Sequence, residues 1–529
     1  MLFRSKSAPT VIRKTVRLPE TQDGEPICQS WRQMVNIGYA HDGLIGSVQE
    51  QLRRAQKEIG FTYLRFHGIF DDDMHIYQEN EDGSPWFNFA YADLLFDFIQ
   101  EIGLIPYVEL GYMPSKLAKT QYTVFDNPAI CISMYNDSEK WQALVQACLS
   151  HWIDKYGLAN VRKWRFTVFS MNYSRLQYTA PVMSHEDYCK MFEVTYQTIK
   201  MIDPELKLGG AGCFPGIALA PDGLRRFLLD VKELGCPPDF ITVQCYPHED
   251  FSQDSDFFYF TSKQTSMPSV LSKDKNFTLH FLQRLNRIRQ EIGFADCPVV
   301  VEEWNSTLWQ RDLSGDTCYK AAWLIKNVLQ NYDQAEYLGY WLLTDFLDEW
   351  LVPGGVFHGG YGLFTINGIP KAGYQALRML GRIGERKIAS GEGWFVSRTE
   401  NTIQVYLYHY CHYDALYRYR YQKLTDPHDA YKVFESDGRL KIELELCGLD
   451  PGIYRQEIWT INRSAGSTFD RWIEMGAPGV MTPEDLKYLN DMAQPLCKIR
   501  DTDTVGTLRL QAELEPHEVR LIVLKKRDG

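Results

Sequence analysis

The stretch PVVVEEWNST, Pro298 to Thr307, decides the reading of the fold. A short run of valines bounded by turn residues is what a strand buried on both faces requires, as in a parallel sheet covered by helices. It ends in Glu302, Glu303, Trp304 and Asn305, so an apolar strand opens onto a polar rim. Working outward, seven more such runs stand between segments of helical period: Gln33 to Ala40, Tyr63 to Phe70, Ile105 to Tyr112, Lys163 to Ser170, Lys207 to Cys213, Phe240 to Pro247 and Leu338 to Asp345. Eight alternating units imply an α/β fold of the (β/α)8 type, a TIM barrel, with its site at the C-terminal strand ends. A doubly wound sheet is the competing arrangement, but no glycine-rich nucleotide fingerprint follows the first strand. Ser184 with Asp187 reads as a capping box, and the EIG sequences ending at Gly60, Gly103 and Gly293 place glycine at helix C-termini.

After Gly362 the texture changes to alternating segments such as Thr402 to His409, Leu440 to Leu446 and Thr507 to Leu514, the pattern of an antiparallel β domain. The expected organisation is an N-terminal strand in residues 1–30 packing on that domain, a barrel over 31–360 and a β-sandwich-like domain over 361–529. Thr482 to Asp485 reads as a capped helix start, and LEPHEVRLIVLKK, Leu514 to Lys526, as an edge hairpin.

The 529 residues, 45% hydrophobic and 23% charged, suit a soluble chain with a large core. Thirteen Trp and 31 Tyr raise the expectation of sugar binding, because pyranose rings stack on aromatic faces. A formal charge of −12 offers no footprint for a nucleic-acid backbone, and the basic run Arg4, Lys6, Arg13, Lys14 and Arg17 is short. No run of 18 apolar residues would span a membrane, and charge near Met1 replaces a secretory apolar region, so a cytoplasmic location is expected. Twelve cysteines without a CxxC pair are expected to be reduced.

Glu303 is the leading candidate for chemistry, since a strand-end carboxylate beside Trp304 and Asn305 sits where barrel enzymes place reacting groups. Strand alternation then turns Glu302 toward the surrounding helices. Asp71 to Asp73, and Asp345 with Asp348 and Glu349, read either as hydroxyl-binding groups or as solvated acidic loops. Three consecutive Asp are not a spaced ligand set, and no metal site is expected. His67 suits a core histidine as well as a site residue, and Trp304, Trp309, Trp341 and Trp350 suit core or sugar platform. No GxSxG elbow or Cys and His arrangement is present, and Cys411-His412 lies in the β domain.

Across nearly the whole chain the motifs resemble glycoside hydrolase family 39, the β-xylosidase and α-L-iduronidase family. The matching stretches are EIGFTYLRFHGIFDDDM, YVELGYMPSKLA, DFITVQCYP, VEEWNST, YWLLTDFLDEW with FHGGYGLFTINGIPKAGYQAL, and RWIEMGAPGVMTPEDLKYL. The resemblance implies a barrel with a β-sandwich and hydrolysis with retention by one Glu after the fourth strand and another after the seventh. It carries the nucleophile to Glu303 and keeps Tyr246, Trp341 and Glu349, with His67, Tyr112 and Trp304 as further substrate-binding candidates. The fourth strand departs from the family's FEVWNEPN: the chain reads FTVFSMNY, with Met171 at the acid/base position, Ser170 for the Asn that usually meets the sugar 2-hydroxyl, and Asn172 for the Pro. Gln244 occupies the place of a sugar-contacting His, and Asp348 that of the first Glu after strand eight.

Two main readings follow, beside the blander one of a scaffold with a closed pocket and no ligand. Either another carboxylate, Glu109, Asp72 or Asp348, supplies the missing proton and the chain is a glycosidase of altered specificity, or the site binds a short saccharide without cleaving it. Some barrels of this family are joined to transcription-regulator domains, although no helix-turn-helix segment is evident here. The expected partner is a saccharide, with no cofactor, nucleic acid or membrane, and a homo-oligomer is compatible with the family.

Overall fold

The computed structural model describes residues 10–19, 24–123, 129–169, 183–248, 270–347, 355–419, 424, 426–435 and 438–527. Eight parallel strands close into a barrel: β1 (Met34–Tyr39), β2 (Tyr63–His67), β3 (Ile105–Leu110), β4 (Arg165–Val168), β5 (Lys207–Cys213), β6 (Phe240–Cys245), β7 (Val299–Trp304) and β8 (Tyr337–Tyr340), with β8 bonded back to β1. One long helix follows each strand: α1 (Gly46–Glu58), α2 (Ala90–Glu101), α3 (Ser138–Tyr156), α4 (His185–Ile202), α5 (Leu224–Glu233), α6 (Phe277–Glu291), α7 (Cys318–Asn331) and α8 (Ala372–Leu380). Each strand lies within the run expected for it or overlaps it closely, because burial on both faces leaves an unbroken apolar signal. Ser184 and Asp187 form the capping box at the start of α4. Gly60, Gly103 and Gly293 take positive φ after α1, α2 and α6.

The barrel interior is layered. Near the strand N-termini Met34, Tyr63, Tyr107, Phe240, Val300 and Tyr337 form a separate apolar cluster. Above it the filling turns polar, with Asn36, Arg65, Glu109 and Glu302 all buried. Outward-facing residues of the same strands, such as Leu64, Phe66, Ile241 and Val243, join the helices in the main core.

Beyond the barrel, two sheets pack together. The strand Thr10–Arg17 pairs in parallel with Leu440–Cys447, which pairs antiparallel with Thr507–Leu514. A seven-stranded sheet, in the order Leu496–Thr504, Gly452–Ile461, Val519–Lys526, Thr402–Tyr408, Trp394–Arg398, Arg386–Gly391 and Glu25–Pro26, lies against it. Val396, Val405, Leu407 and Leu524 face the smaller sheet, whereas Phe395, Tyr406, Leu521 and Val519 join the barrel's core. The larger sheet is thus sandwiched on both sides. This corrects one expectation: Val519–Lys526 is a central strand rather than part of an edge hairpin, and its two apolar faces are what a central strand buried on both sides needs. The twelve cysteines are all free, and among the described residues no helix is long and apolar enough to cross a membrane.

Candidate active site

The site grows from an irregularity in β7. Opposite β6, Val243 pairs with Val301 and Gln244 with Glu303, so Glu302 is an extra residue without a partner. The pairing with β8 slips in the same place. This bulge breaks the strict alternation of side chains, and Glu302 and Glu303 both point into the barrel. The expectation that Glu302 faces the helices is therefore corrected: its carboxylate lies 3.6 Å from Arg65 Nη2 and accepts from Tyr107 Oη at 3.4 Å. Gly339 leaves room for the bulge, since a Cβ there would stand 2.8 Å from the Glu302 carbonyl.

Four donors converge on Glu303. Arg65 Nη1 at 3.0 Å, His67 Nε2 at 3.2 Å and Gln244 Nε2 at 2.9 Å all reach Oε1, and Tyr246 Oη reaches Oε2 at 3.0 Å. Among the described residues Oε2 has one donor, against three at Oε1. Arg65 Nη2 also binds Glu109 Oε2 at 2.6 Å, and His67 Nδ1 lies 2.7 Å from Glu109 Oε1. Two cations are thus shared among three buried carboxylates. Burial works to raise the Glu303 carboxyl, but the His67 hydrogen bond and the charges of Arg65 and His67 outweigh it and hold the group below its ordinary value. Burial pushes Glu302 up to about 7 against the pull of Arg65, with Glu109 and Glu303 adding to the rise. His67 is also desolvated, yet the charge of Glu109 carries it up to about 10.

Aromatic rings frame this cluster. Tyr112 stacks on His67 with centroids 5.8 Å apart, and Trp341 tilts against the same imidazole at 5.0 Å. Asn305 donates Nδ2 to the Trp341 carbonyl and is itself held by Lys320. The structure therefore brings together Glu303, His67, Tyr112, Gln244, Tyr246 and Trp341. It places Trp304 elsewhere: this ring is fully buried, packs 4.5 Å from Trp323 of α7 and faces the helices, because with Glu303 turned inward plain alternation sends the next residue out. Ser170, Met171, Asn172, Asp348, Glu349 and Trp350 lie outside the described residues.

Several candidate carboxylates turn out to hold loops. Asp71 accepts from the Tyr112 amide at 3.0 Å, and Asp72 from the Ser115 amide at 3.0 Å, joining the loops after β2 and β3. Gly68, at φ +68°, permits this turn, since a Cβ would overlap Asp71. Asp345 is buried against Lys371, Nζ to Oδ2 2.6 Å, and Lys371 also binds Asp316 at 2.5 Å. Trp309 sits edge-on to Tyr417 at 5.6 Å, a packing contact. Sequence reasoning missed Arg65, the group that links all three carboxylates. Its signal is a charge in the middle of the apolar run TYLRFH, where a buried guanidinium requires partners.

A family model described as "Glycosyl hydrolases family 39" matches residues 14–509. A β-xylosidase from Geobacillus stearothermophilus is 26% identical over 520 residues, spanning 97% of this chain and 96% of the relative. Another from Caldicellulosiruptor saccharolyticus is 34% identical over 361 residues, spanning 67% of this chain and 69% of the relative. The crystal structure of a monomeric β-xylosidase from Caulobacter crescentus CB15 superposes with a TM-score of 0.83 at 23% identity, over 98% of this chain and 100% of its own.

Proposed function

The chain belongs to glycosyl hydrolase family 39, and from that premise we propose that it is a saccharide-binding barrel of β-xylosidase type that keeps a working nucleophile, Glu303, without a general acid opposite it. The observation that carries this reading is the four-donor cradle around Glu303, which keeps the carboxylate ionised and, among the described residues, leaves Oε2 with one donor. In a retaining glycosidase a second carboxyl group, about 5 to 5.5 Å away, protonates the leaving oxygen. Met171 stands at that position of the sequence, and a thioether transfers no proton.

Glu303 Oε2 bonds to the anomeric carbon while the glycosidic C–O bond breaks, and the leaving oxygen keeps the bonding pair. Without an acid it must depart as an anion. Loss of general acid catalysis is typically worth about 100- to 10,000-fold, roughly 3 to 5 kcal/mol of barrier. Ordinary oligosaccharides would then be bound and retained, whereas aryl glycosides with stable leaving anions would still glycosylate Glu303. The proposed ligand is a small pyranoside of the xylose class, resting against Trp341 and Tyr112 with Gln244 and Tyr246 at its anomeric end, and with Ser170, Asp348 and Glu349 as further proposed contacts.

The alternative, a glycosidase with a relocated acid, finds little support in the described carboxylates nearest Glu303. Both oxygens of Glu109 are engaged by Arg65 and His67. Glu302 carries a proton near neutrality but lies beside Arg65 and Tyr107 in the interior.

Intact mass after incubation with aryl 2-deoxy-2-fluoro-β-xyloside, with and without azide, tests the reading. A single sugar adduct on Glu303, together with azide-accelerated turnover of an activated aryl xyloside to the glycosyl azide, is expected. Rapid hydrolysis of plain xylobiose would reveal a working acid and overturn the reading. Absence of an adduct from any aryl glycoside would overturn the claim of a working nucleophile.

A further inference from the structure

Away from the barrel mouth, three donors of different chemistry converge between the helices that follow β4 and β5. His185 and Cys189 are one turn apart on α4 and share a face, and Asp230 projects from α5. His185 Nε2 lies 2.8 Å from Asp230 Oδ2 and 3.4 Å from Cys189 Sγ. The ligand atoms of all three residues lie within 4.8 Å of one another.

The plain alternative is a His–Asp ion pair with a thiol beside it. Two features go further. First, the same imidazole nitrogen is close to both partners, so the three atoms bound one small space instead of forming a chain through opposite sides of the ring. Second, two of the three spacings are near those around a tetrahedral cation, and the third, sulfur to carboxylate oxygen, is within 4.8 Å. Ligands at about 2.0 to 2.1 Å for nitrogen or oxygen and about 2.3 Å for sulfur stand roughly 3.3 to 3.6 Å apart along tetrahedral edges. The N to S spacing of 3.4 Å is already there. The N to O spacing of 2.8 Å needs to open by about half an ångström, and Asp230, whose side chain is 39% exposed, has room to turn.

The donor set selects the ion. Imidazole, thiolate and carboxylate suit a borderline-soft cation and disfavour Mg²⁺ or Ca²⁺, which take oxygen ligands. We propose that His185, Cys189 and Asp230 form a zinc-type site of three protein ligands with its fourth position toward solvent, tying α4 to α5.

The surrounding charges set the pH dependence. Burial, reinforced by the charge of Asp230, pushes the Cys189 thiol up to about 12, with Arg226 opposing and Cys236 and Glu186 adding to the rise. Metal binding must therefore expel the thiol proton to solvent as the metal–sulfur bond forms, and affinity should increase with pH. Arg226 competes for Asp230, with Nε 3.4 Å from Oδ2, but is also held by Glu186 at 2.6 Å.

The experiment is titration of the chelator-treated full chain with Co²⁺ alone, followed by displacement with Zn²⁺. One equivalent of Co²⁺ should produce a tetrahedral spectrum with a thiolate charge-transfer band, and Zn²⁺ should abolish it. Cys189→Ala should lose that band, Asp230→Asn should bind at least tenfold more weakly, and Arg226→Gln should bind as tightly as the parent or more so. Folding of each variant is checked by circular dichroism. No tetrahedral spectrum in the parent, or affinity unchanged from the parent in both Cys189→Ala and Asp230→Asn, overturns the site.

Discussion

His67 bridges two buried carboxylates: Nε2 lies 3.2 Å from Glu303 Oε1, and Nδ1 lies 2.7 Å from Glu109 Oε1. A ring that donates on both sides must be imidazolium, and its position near 10 keeps it so at neutral pH. Replacing it with Ala leaves Arg65, among the described residues, as the cation for three acids. Breaking such a buried pair typically costs about 3 to 5 kcal/mol, so the urea midpoint of His67→Ala should fall well below that of the parent. Glu303 also loses the hydrogen bond that does most to lower it, so any remaining adduct formation should need a higher pH. An unchanged pH profile for labelling would contradict the bridge.

Glu302 makes a separate pH prediction. Its carboxyl, raised by burial to about 7 from an ordinary 4.5, binds its proton more tightly in the folded than in the unfolded chain. A raised group contributes stability that is complete below its unfolded value and lost as pH climbs through the folded one. The parent should therefore lose up to about 3 kcal/mol between pH 4.5 and 7 from this group. Glu302→Gln, which mimics the protonated form, should flatten that slope in denaturant titrations at pH 5 and pH 8. An equally steep slope in both proteins would rule out Glu302 as its source.

Much of the barrel is legible in the sequence because strands buried on both faces appear as short apolar runs, and strand ends locate the mouth. Lys207–Cys213 matches its expected range throughout. The place of Glu303 at the end of the seventh strand is legible for the same reason. The inward turn of Glu302 is not, because strand alternation assumes a regular pleat and a one-residue bulge leaves no mark in composition. The outward placement of Trp304, by contrast, follows from plain alternation once Glu303 faces inward. Asp345 reads as a candidate ligand because its partner Lys371 is 26 residues away, a distance over which spacing carries no information. The central position of Val519–Lys526 is hidden for a similar reason, since an apolar terminal segment does not identify its neighbours.

Lys371 tests whether the loops around β8 depend on buried charge. It is 1% exposed and lies between Asp316 and Asp345. Removing the ammonium leaves two buried carboxylates without the cation that binds both. Lys371→Met should destabilise the chain by about 3 to 5 kcal/mol. The double replacement with Asp316→Asn and Asp345→Asn should recover part of that loss, as read from thermal or urea unfolding. No recovery would mean that the single variant acts through packing of the lysine stem.

Lys320 makes an opposite pH prediction. Burial lowers this amine to about 7, against the attraction of Asp312. Between about 7 and its ordinary value of 10.5 the unfolded chain carries a proton that the folded chain lacks, so this group makes stability rise with pH across that window and fall as pH drops through 7. Lys320→Met should abolish that part of the slope. Because Lys320 holds Asn305, which holds the Trp341 carbonyl, the variant should also weaken saccharide binding, measured by calorimetry. Loss of the slope with unaltered binding would separate the lysine's charge from the positioning of Trp341.

The sharpest prediction concerns Met171. If the chain retains its nucleophile and lacks only the proton donor, then Met171→Glu restores a carboxyl at the position where the family has one. The gain should depend on the leaving group. An aryl glycoside whose phenol departs readily as an anion gains little from protonation, whereas an alkyl xyloside or xylobiose gains the full effect of general acid catalysis, about 100- to 10,000-fold. The slope of rate against leaving-group pKa should therefore flatten in the variant, and azide acceleration should diminish because the new carboxylate activates water itself. Ser170→Asn alone should change binding without changing that slope. If Met171→Glu accelerates every substrate equally, or none while Glu303 still accepts the fluoro-sugar, then the missing acid is not what limits cleavage.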